Sequence, residues 1–408
     1  MKTPEDKKSY RPKIKLMNPN KIKQDFPVFS EKPELVYLDN AATSQKPEAV
    51  IKAVEGFYRE KNSNIGRGLY ELATEATKAY EESRETAADF IGAEKDEIVF
   101  VRNTTEAENL LAHSTDFEGD IVLSEMAHHS EQLPWRRKAE QEEKEINYLE
   151  TEDGEISVES AKQMIDEDTG LVAFSHISNV FGERNEVEKI TEIAHENDAL
   201  VVLDAAQSAP HRPLDVDDLN VDFMCFSGHK MLGPSGTGVL YGKKHRLEEL
   251  RPYQVGGGMI KSVKKDDVKY SEVPQRFEAG TPNIAGVVGL AEAIYYLEEI
   301  GMENVHEHGK RLSNRIIEDL RQIEGVKVLS SQGANLVSFT CRDVHPHDVA
   351  ELLNQKGVAV RAGNHCAQPQ MDSLGISGTT RASPYIYNTE EEVERLVEGV
   401  KEALEVFQ

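Results

Sequence analysis

Between about residues 35 and 250 the chain alternates short apolar runs with amphipathic stretches, the βαβ pattern of a mostly parallel sheet. The runs predict strands at Glu97–Val101, Asp120–Leu123, Gly170–His176, Ala199–Asp204, Val221–Ser227 and Gly238–Tyr241. Each is almost continuously apolar, as a strand covered on both faces requires. Helical spacing over Ala73–Ile91 and Glu186–Asn197 supplies covering layers; Gly92 caps the first and Asn197-Asp198 ends the second. After about residue 285 the pattern changes. Val287, Leu290, Ile294, Leu297 and Ile300 fall on one helical face, with Gly301 as the stop. A charged helix at Val305–Gln322, strands near Val326–Leu329 and Leu336–Thr340, and a helix at His347–Lys356 follow. Thr389 and Glu392 make a capping box for a closing helix with Leu396, Val400 and Leu404 on one face. These signals predict a second, smaller α+β unit. Gly256-Gly257-Gly258 and the charged stretch Lys261–Lys269 predict a mobile loop or hairpin between the halves.

Composition narrows the class. The 408 residues carry 47 Lys+Arg against 73 Asp+Glu, a formal charge of −26, with 38% hydrophobic residues. That is a soluble globular balance, and the length favours two domains over one. No apolar run reaches the ~18 residues a membrane span needs, and the N-terminus has no apolar signal core. The acidic balance argues against nucleic-acid binding, because a phosphate backbone needs a basic face. Charge is uneven, however: residues 1–24 hold eight Lys/Arg and two acids, a net +6, leaving −32 on the rest. A basic tail of this kind docks on the acidic body or stays disordered. The acidic surface fits an adaptation to salt, which stability that rises with KCl would report. Three cysteines, Cys225, Cys341 and Cys366, are too few for a disulfide framework and point to a reducing, cytoplasmic setting. No metal-ligand motif stands out.

Candidate chemistry concentrates in Val201–Lys230. One buried strand ends in Asp204, with Gln207 three residues on, and the next, Phe223–Phe226, runs into Ser227-Gly228-His229-Lys230. In an open parallel sheet, ligands sit beyond the carboxyl ends of the strands, so both deliver polar groups to one edge. Taken singly, such an aspartate is a helix cap and such a lysine a solvated loop residue. Together they form a constellation suited to pyridoxal phosphate. That cofactor needs a lysine amine for its aldehyde carbon, a carboxylate for the pyridinium nitrogen, donors for its phosphate and a partner for its ring. Lys230 and Asp204 meet the first two needs. Ser227 and His229, with Thr104 and Thr105 at a helix start, supply phosphate donors. His128 follows the next strand and can stack on the ring, while Asn179 and Gln207 can bond its phenolic oxygen.

Motifs spread over the chain share this logic: Tyr37-Leu38-Asp39-Asn40-Ala41-Ala42, Arg102-Asn103-Thr104-Thr105-Glu106, Ser178-Asn179-Val180, Asp204-Ala205-Ala206-Gln207, Phe226-Ser227-Gly228-His229-Lys230, Phe277-Glu278-Ala279-Gly280-Thr281-Pro282-Asn283, Arg361-Ala362-Gly363-Asn364-His365-Cys366-Ala367 and Tyr387-Asn388-Thr389. They resemble the SufS-type (group II) cysteine desulfurases, class V aminotransferase-like pyridoxal-phosphate enzymes. The resemblance implies an α/β fold of fold type I, with a large cofactor-binding domain over residues 27–290. A small C-terminal domain over residues 291–408 would carry the catalytic cysteine, and the basic segment 1–26 would pack on it.

The same resemblance implies a reaction. L-cysteine displaces Lys230 from the cofactor, Arg381 anchors the substrate carboxylate, and Ala41, Asn179 and Arg361 complete the substrate site. Lys230 then acts at Cα, His128 assists, and the Cys366 thiolate takes the sulfur as a persulfide while alanine leaves. His365 and Arg361 beside Cys366 are placed to favour thiolate, whereas Cys225 and Cys341 lie in apolar strand patterns and read as core residues. Thr281 would reach the phosphate of a neighbouring subunit, implying a homodimer; it also suits an N-cap for the helix from Asn283. The implied acceptor is a SufE- or SufU-type carrier or an iron–sulfur scaffold. Gly66, Asn364 and Ala127 depart from the family pattern, where relatives commonly have His, His and an acid. Alternatives on the same scaffold are selenocysteine lysis, transamination, which has no need of Cys366, or a non-catalytic binding role.

Overall fold

A computed structural model describes residues 17–66, 68–152 and 154–407. The six predicted strands and one more form a seven-stranded sheet: β1 (Ile98–Val101), β2 (Asp120–Ser124), β3 (Ile146–Leu149), β4 (Thr169–Ser175), β5 (Leu200–Asp204), β6 (Phe223–Ser227) and β7 (Gly238–Gly242). Its order is β1-β7-β6-β5-β4-β2-β3, with β7 antiparallel to both neighbours and every other pairing parallel. Strands β4, β6 and β7 are buried at every position and β5 at all but its first, which is why they read as unbroken apolar runs. The edge strand β3 escaped the pattern because its sequence, Ile-Asn-Tyr-Leu, is mostly half-buried. Glu97 belongs to a capped turn ahead of β1 rather than to the strand itself.

Helices Glu71–Ile91 and Val187–Glu196 cover this sheet, and Gly92 ends the first at φ +75°. Two apolar clusters lie on opposite faces of the sheet; side chains alternate, so Leu203 and Phe226 join one while Val202 and Cys225 join the other. Helix Ile284–Ile300 packs on Glu48–Gly56 and Glu71–Ile91. Leu290 lies inside that helix and joins the cluster containing Phe226, so a division between residues 290 and 291 cuts a continuous rod.

The C-terminal part has a four-stranded antiparallel sheet ordered Val326–Val328, Val337–Cys341, Thr379–Ala382, Arg361–Gly363, covered by helices Met302–Arg321, Pro346–Gln355 and Glu390–Phe407. The capping box of the last helix is present: Glu392 N–H donates to Thr389 Oγ1 at 3.4 Å and Thr389 N–H to Glu392 Oε2 at 3.1 Å. Ile260–Val263 and Val268–Tyr270 pair as the expected hairpin. Most of the basic N-terminal segment, residues 1–16, lies outside the described residues. Its end is anchored: Lys23 pairs with Glu392, and the Phe26 ring meets Tyr387 at 4.7 Å. Among the described residues, no helix is long and apolar enough to cross a membrane.

Candidate active site

Adjacent parallel strands β5 and β6 end at the same sheet edge, with Asp204 opposite Cys225. Beyond β6 the chain makes a tight turn, Gly228–Lys230, that leaves no room for a side chain at Gly228. A Cβ there would stand 2.7 Å from Thr237 Oγ1 and 3.0 Å from Leu290 Cδ1. The turn is clamped from outside. The His229 carbonyl accepts from Ser44 N–H (3.0 Å), Thr43 Oγ1 (3.0 Å), Ser44 Oγ (3.2 Å) and Lys46 Nζ (2.8 Å), and Ser44 Oγ also accepts from Leu232 N–H at 2.8 Å. Lys230 thereby projects into a cavity of about 300 Å³ whose walls include Ala41, Thr104, Thr105, His128, Asn179, Asp204, Gln207, Ser227, His229, Arg361, Arg381 and Cys366. Every site residue expected from the sequence, except Thr281, meets there.

Electrostatics at the floor are dominated by burial. Burial pulls the Lys230 amine down to about 8, with Asp204 opposing and Arg381 assisting. Burial also raises the Asp204 carboxyl above its ordinary value, against Lys230 and the Ala206 N–H that donates to it at 2.8 Å. An amine held this close to neutrality is a ready nucleophile and base. His128 caps helix His129–Glu142, its Nδ1 accepting from Ser130 N–H at 3.1 Å. Burial first, then Lys230, His129 and Arg381, push its imidazole down to about 3. A neutral ring whose Nδ1 accepts carries its proton on Nε2.

The walls are prearranged by direct bonds. Thr104 N–H donates to Ser227 Oγ at 2.9 Å, their hydroxyls lie 3.0 Å apart, and Thr105 Oγ1 meets Ser130 Oγ at 2.7 Å. These groups surround the N-terminus of helix Thr104–Ser114, a natural anion seat. Gln207 Nε2 donates to the Ala41 carbonyl at 2.9 Å, and Asn179 Nδ2 to the His365 carbonyl at 2.7 Å. Asn179 Oδ1 is buried without a partner among the described residues.

The rim is built differently. Cys366 is exposed at φ +57° after His365 at φ +52°, a left-handed pair that turns the thiol outward, and its carbonyl accepts from His129 N–H at 2.8 Å. Cys225 and Cys341 are buried, as expected of core thiols. The proposed help from His365 is not present. Its Nε2 meets Thr379 Oγ1 at 2.8 Å, and burial with Arg381 and Arg361 holds it down to about 2, so it is neutral and turned away. Arg361 is paired as well. Its Nε lies 3.0 Å from Asp39 Oδ1 and its Nη2 2.8 Å from Oδ2, a bidentate pair. Arg381 Nη1 donates to the Asn179 carbonyl at 2.7 Å, while its Nε is buried without a partner among the described residues.

Thr281 lies outside this cavity, exposed on the wall of a second one that also contains Arg102 and Glu106. Nor does it cap the following helix: Asn283 does, accepting from Gly286 N–H at 3.0 Å. Sequence reasoning assigned no role to Asp39 or Ser175. Ser175 closes β4 at the same edge as Asp204 and lines the cavity, a position its strand end already signalled. Two further buried acids flank the site: Glu108 accepts from Trp135 Nε1 at 2.8 Å and Glu131 from Ser175 Oγ at 2.8 Å. Burial raises Glu108 to about 8, and Glu131 well above the carboxylate range.

These residues fit pyridoxal phosphate. The unpartnered Asn179 Oδ1, the lysine driven toward neutrality, the sheet-edge carboxylate and the hydroxyl-lined helix N-terminus each match one part of it. Among the described residues no His/Cys/Asp/Glu cluster is suited to a metal ion.

Comparison with known proteins agrees with the geometry. The class-V aminotransferase model matches residues 36–396. The chain is 47% identical to a probable cysteine desulfurase of Halalkalibacterium halodurans, over 96% of this chain and 99% of that protein. It is 43% identical to a cysteine desulfurase of Haloferax volcanii, over 95% and 97%. The apo structure of a cysteine desulfurase from Thermococcus onnurineus superposes with a TM-score of 0.92 at 40% identity, over 97% of this chain and all of that one. With its sheet-edge lysine and aspartate and a match spanning nearly its whole length, the chain belongs to the class-V aminotransferase family.

Proposed function

We propose that this protein is a pyridoxal-phosphate-dependent cysteine desulfurase of the SufS type, converting L-cysteine to L-alanine and holding the sulfur as a persulfide on Cys366. The observation that carries the reading is the single cavity joining Lys230 and Asp204 to an exposed thiol. A transaminase needs only the first two.

Bound at this site, pyridoxal phosphate supplies an electron sink for the substrate's α-carbon. Lys230 would hold its aldehyde carbon and, when its amine is free, would move the proton at the substrate Cα. Asp204 would accept a hydrogen bond from the pyridine nitrogen, and Thr104, Thr105, Ser227 and His229 would hold the phosphate. His128 presents its neutral Nε2–H and ring face to the cavity. Arg381 takes the substrate carboxylate. The Cys366 thiolate attacks the substrate sulfur: an S–S bond forms, the substrate Cβ–S bond breaks with its electron pair left on carbon, and a proton there completes alanine.

The finer assignments are part of the proposal: a cytoplasmic homodimer in which Thr281 serves the partner's phosphate site, passing sulfur to a SufE- or SufU-type carrier or a scaffold for iron–sulfur assembly. The placement of Thr281 outside its own chain's cavity supports the dimer. Purified protein given L-cysteine and a reductant should form alanine and sulfide in equal amounts. A yellow protein that transfers the amino group instead would overturn the desulfurase reading.

A further inference from the structure

Arg361 and Arg381 stand directly opposite each other on neighbouring antiparallel strands. Like charges in that register repel, and the pair lines one wall of the cavity. The chain resolves this with a third strand end. Val36–Tyr37 pairs with Val358–Ala359, and Asp39 forms an isolated bridge to Ser383, so the backbone delivers the Asp39 carboxylate between the two guanidiniums. Asp39 takes the side-on edge of Arg361, Nε and Nη2, completely. It stands 3.7 Å from Arg381 Nη2, too far for a hydrogen bond. On the corresponding edge of Arg381, Nη2 has only this looser ion pair and Nε is buried and unpartnered among the described residues. These three side chains hold two cations and one anion, a net charge of +1, with Arg381 Nε left without a hydrogen bond among the described residues.

We infer that Asp39 is a specificity-determining residue: by neutralising Arg361 it matches the pocket to amino acids bearing one carboxylate and disfavours those bearing two. The inference rests on the amino-acid substrate proposed above. Asp39 acts through Arg361 and touches no reacting atom, so it is a positioning residue. A purely structural Asp39 would alter all ligands alike; a charge-matching Asp39 alters them according to their charge.

The test compares L-aspartate with L-alanine as ligands of the holoenzyme, read from the cofactor absorption band and from competition with L-cysteine. Asp39→Asn should shift the affinity ratio toward L-aspartate by about tenfold, since a unit charge at contact distance is worth at least that near a protein surface. Asp39→Glu should restore the ratio toward wild type. Arg361→Gln, which leaves Asp39 facing Arg381 alone, should shift it the opposite way. A ratio unchanged in Asp39→Asn overturns the inference; if that variant does not fold, a ratio in Arg361→Gln that is unchanged or moves toward L-aspartate does so. A wild-type protein that fails to desulfurate L-cysteine but shows these shifts removes the desulfurase reading and leaves the charge assignment standing.

Discussion

The floor and the rim of the cavity are built on different principles. Asp204 ends one central strand, buried at all but its first position, and Lys230 follows the neighbouring, fully buried one in a turn fastened by four donors to one carbonyl. Cys366 sits on an exposed left-handed turn, and the arginines near it are balanced by a carboxylate from a distant strand end. The floor is rigid where a cofactor must be held through every turnover. The rim keeps its thiol accessible where sulfur must arrive and leave.

Substitutions should separate the two. The largest effect is expected at the floor: Lys230→Ala removes both the covalent attachment and the base, lowering turnover on the order of 10⁴-fold and abolishing the absorption band of the attached cofactor. Retention of that band would detach Lys230 from its role. At the rim, Cys366→Ala should lower turnover on the order of 10³-fold with the band intact. Loss of the band in that variant would erase the distinction between floor and rim.

Packing should show the same contrast at smaller scale. Gly228→Ala forces a methyl against Thr237 and Leu290 and should cost about 1–3 kcal/mol in a denaturant titration. Gly256→Ala, where a Cβ meets nothing within 4 Å, should cost less than about 0.5 kcal/mol. Equal costs would deny that the lysine turn is tightly packed.

The smallest effect concerns pH. Glu108 is fully buried, with the neutral Trp135 and Cys225 as its hydrogen-bond partners among the described residues, and burial with nearby Asp204 raises its carboxyl from 4.5 to about 8. The folded state therefore holds a proton that the unfolded state releases. Stability from this group is fully present below about pH 4.5 and is lost as pH rises through about 8. Glu108→Gln should flatten the stability profile in that window, gaining on wild type between pH 5 and 8. A wild-type slope that survives the substitution would assign it elsewhere.

The same division explains what the sequence made legible. Asp204 follows its apolar run directly and Lys230 ends the three-residue turn after the next one, so strand periodicity predicts which edge they share. The capping box at Thr389 and the C-cap at Gly92 are local signals and appear where expected. Asp39 lies 322 residues from Arg361, and no local pattern announces their pairing. Adjacency misled at His365, whose ring turns to Thr379 although its neighbour is the exposed thiol. Strand β3 leaves no apolar run in the sequence, because it is an edge strand with mostly half-buried positions.

Capture of the sulfur by Cys366 can be measured directly. Holoenzyme mixed with L-cysteine for a single turnover, without reductant, can be digested and each cysteine peptide weighed. One added sulfur atom is expected on the peptide carrying Cys366 and none on those carrying Cys225 or Cys341. Sulfur on either buried cysteine, or alanine formed with Cys366 unmodified, would contradict it.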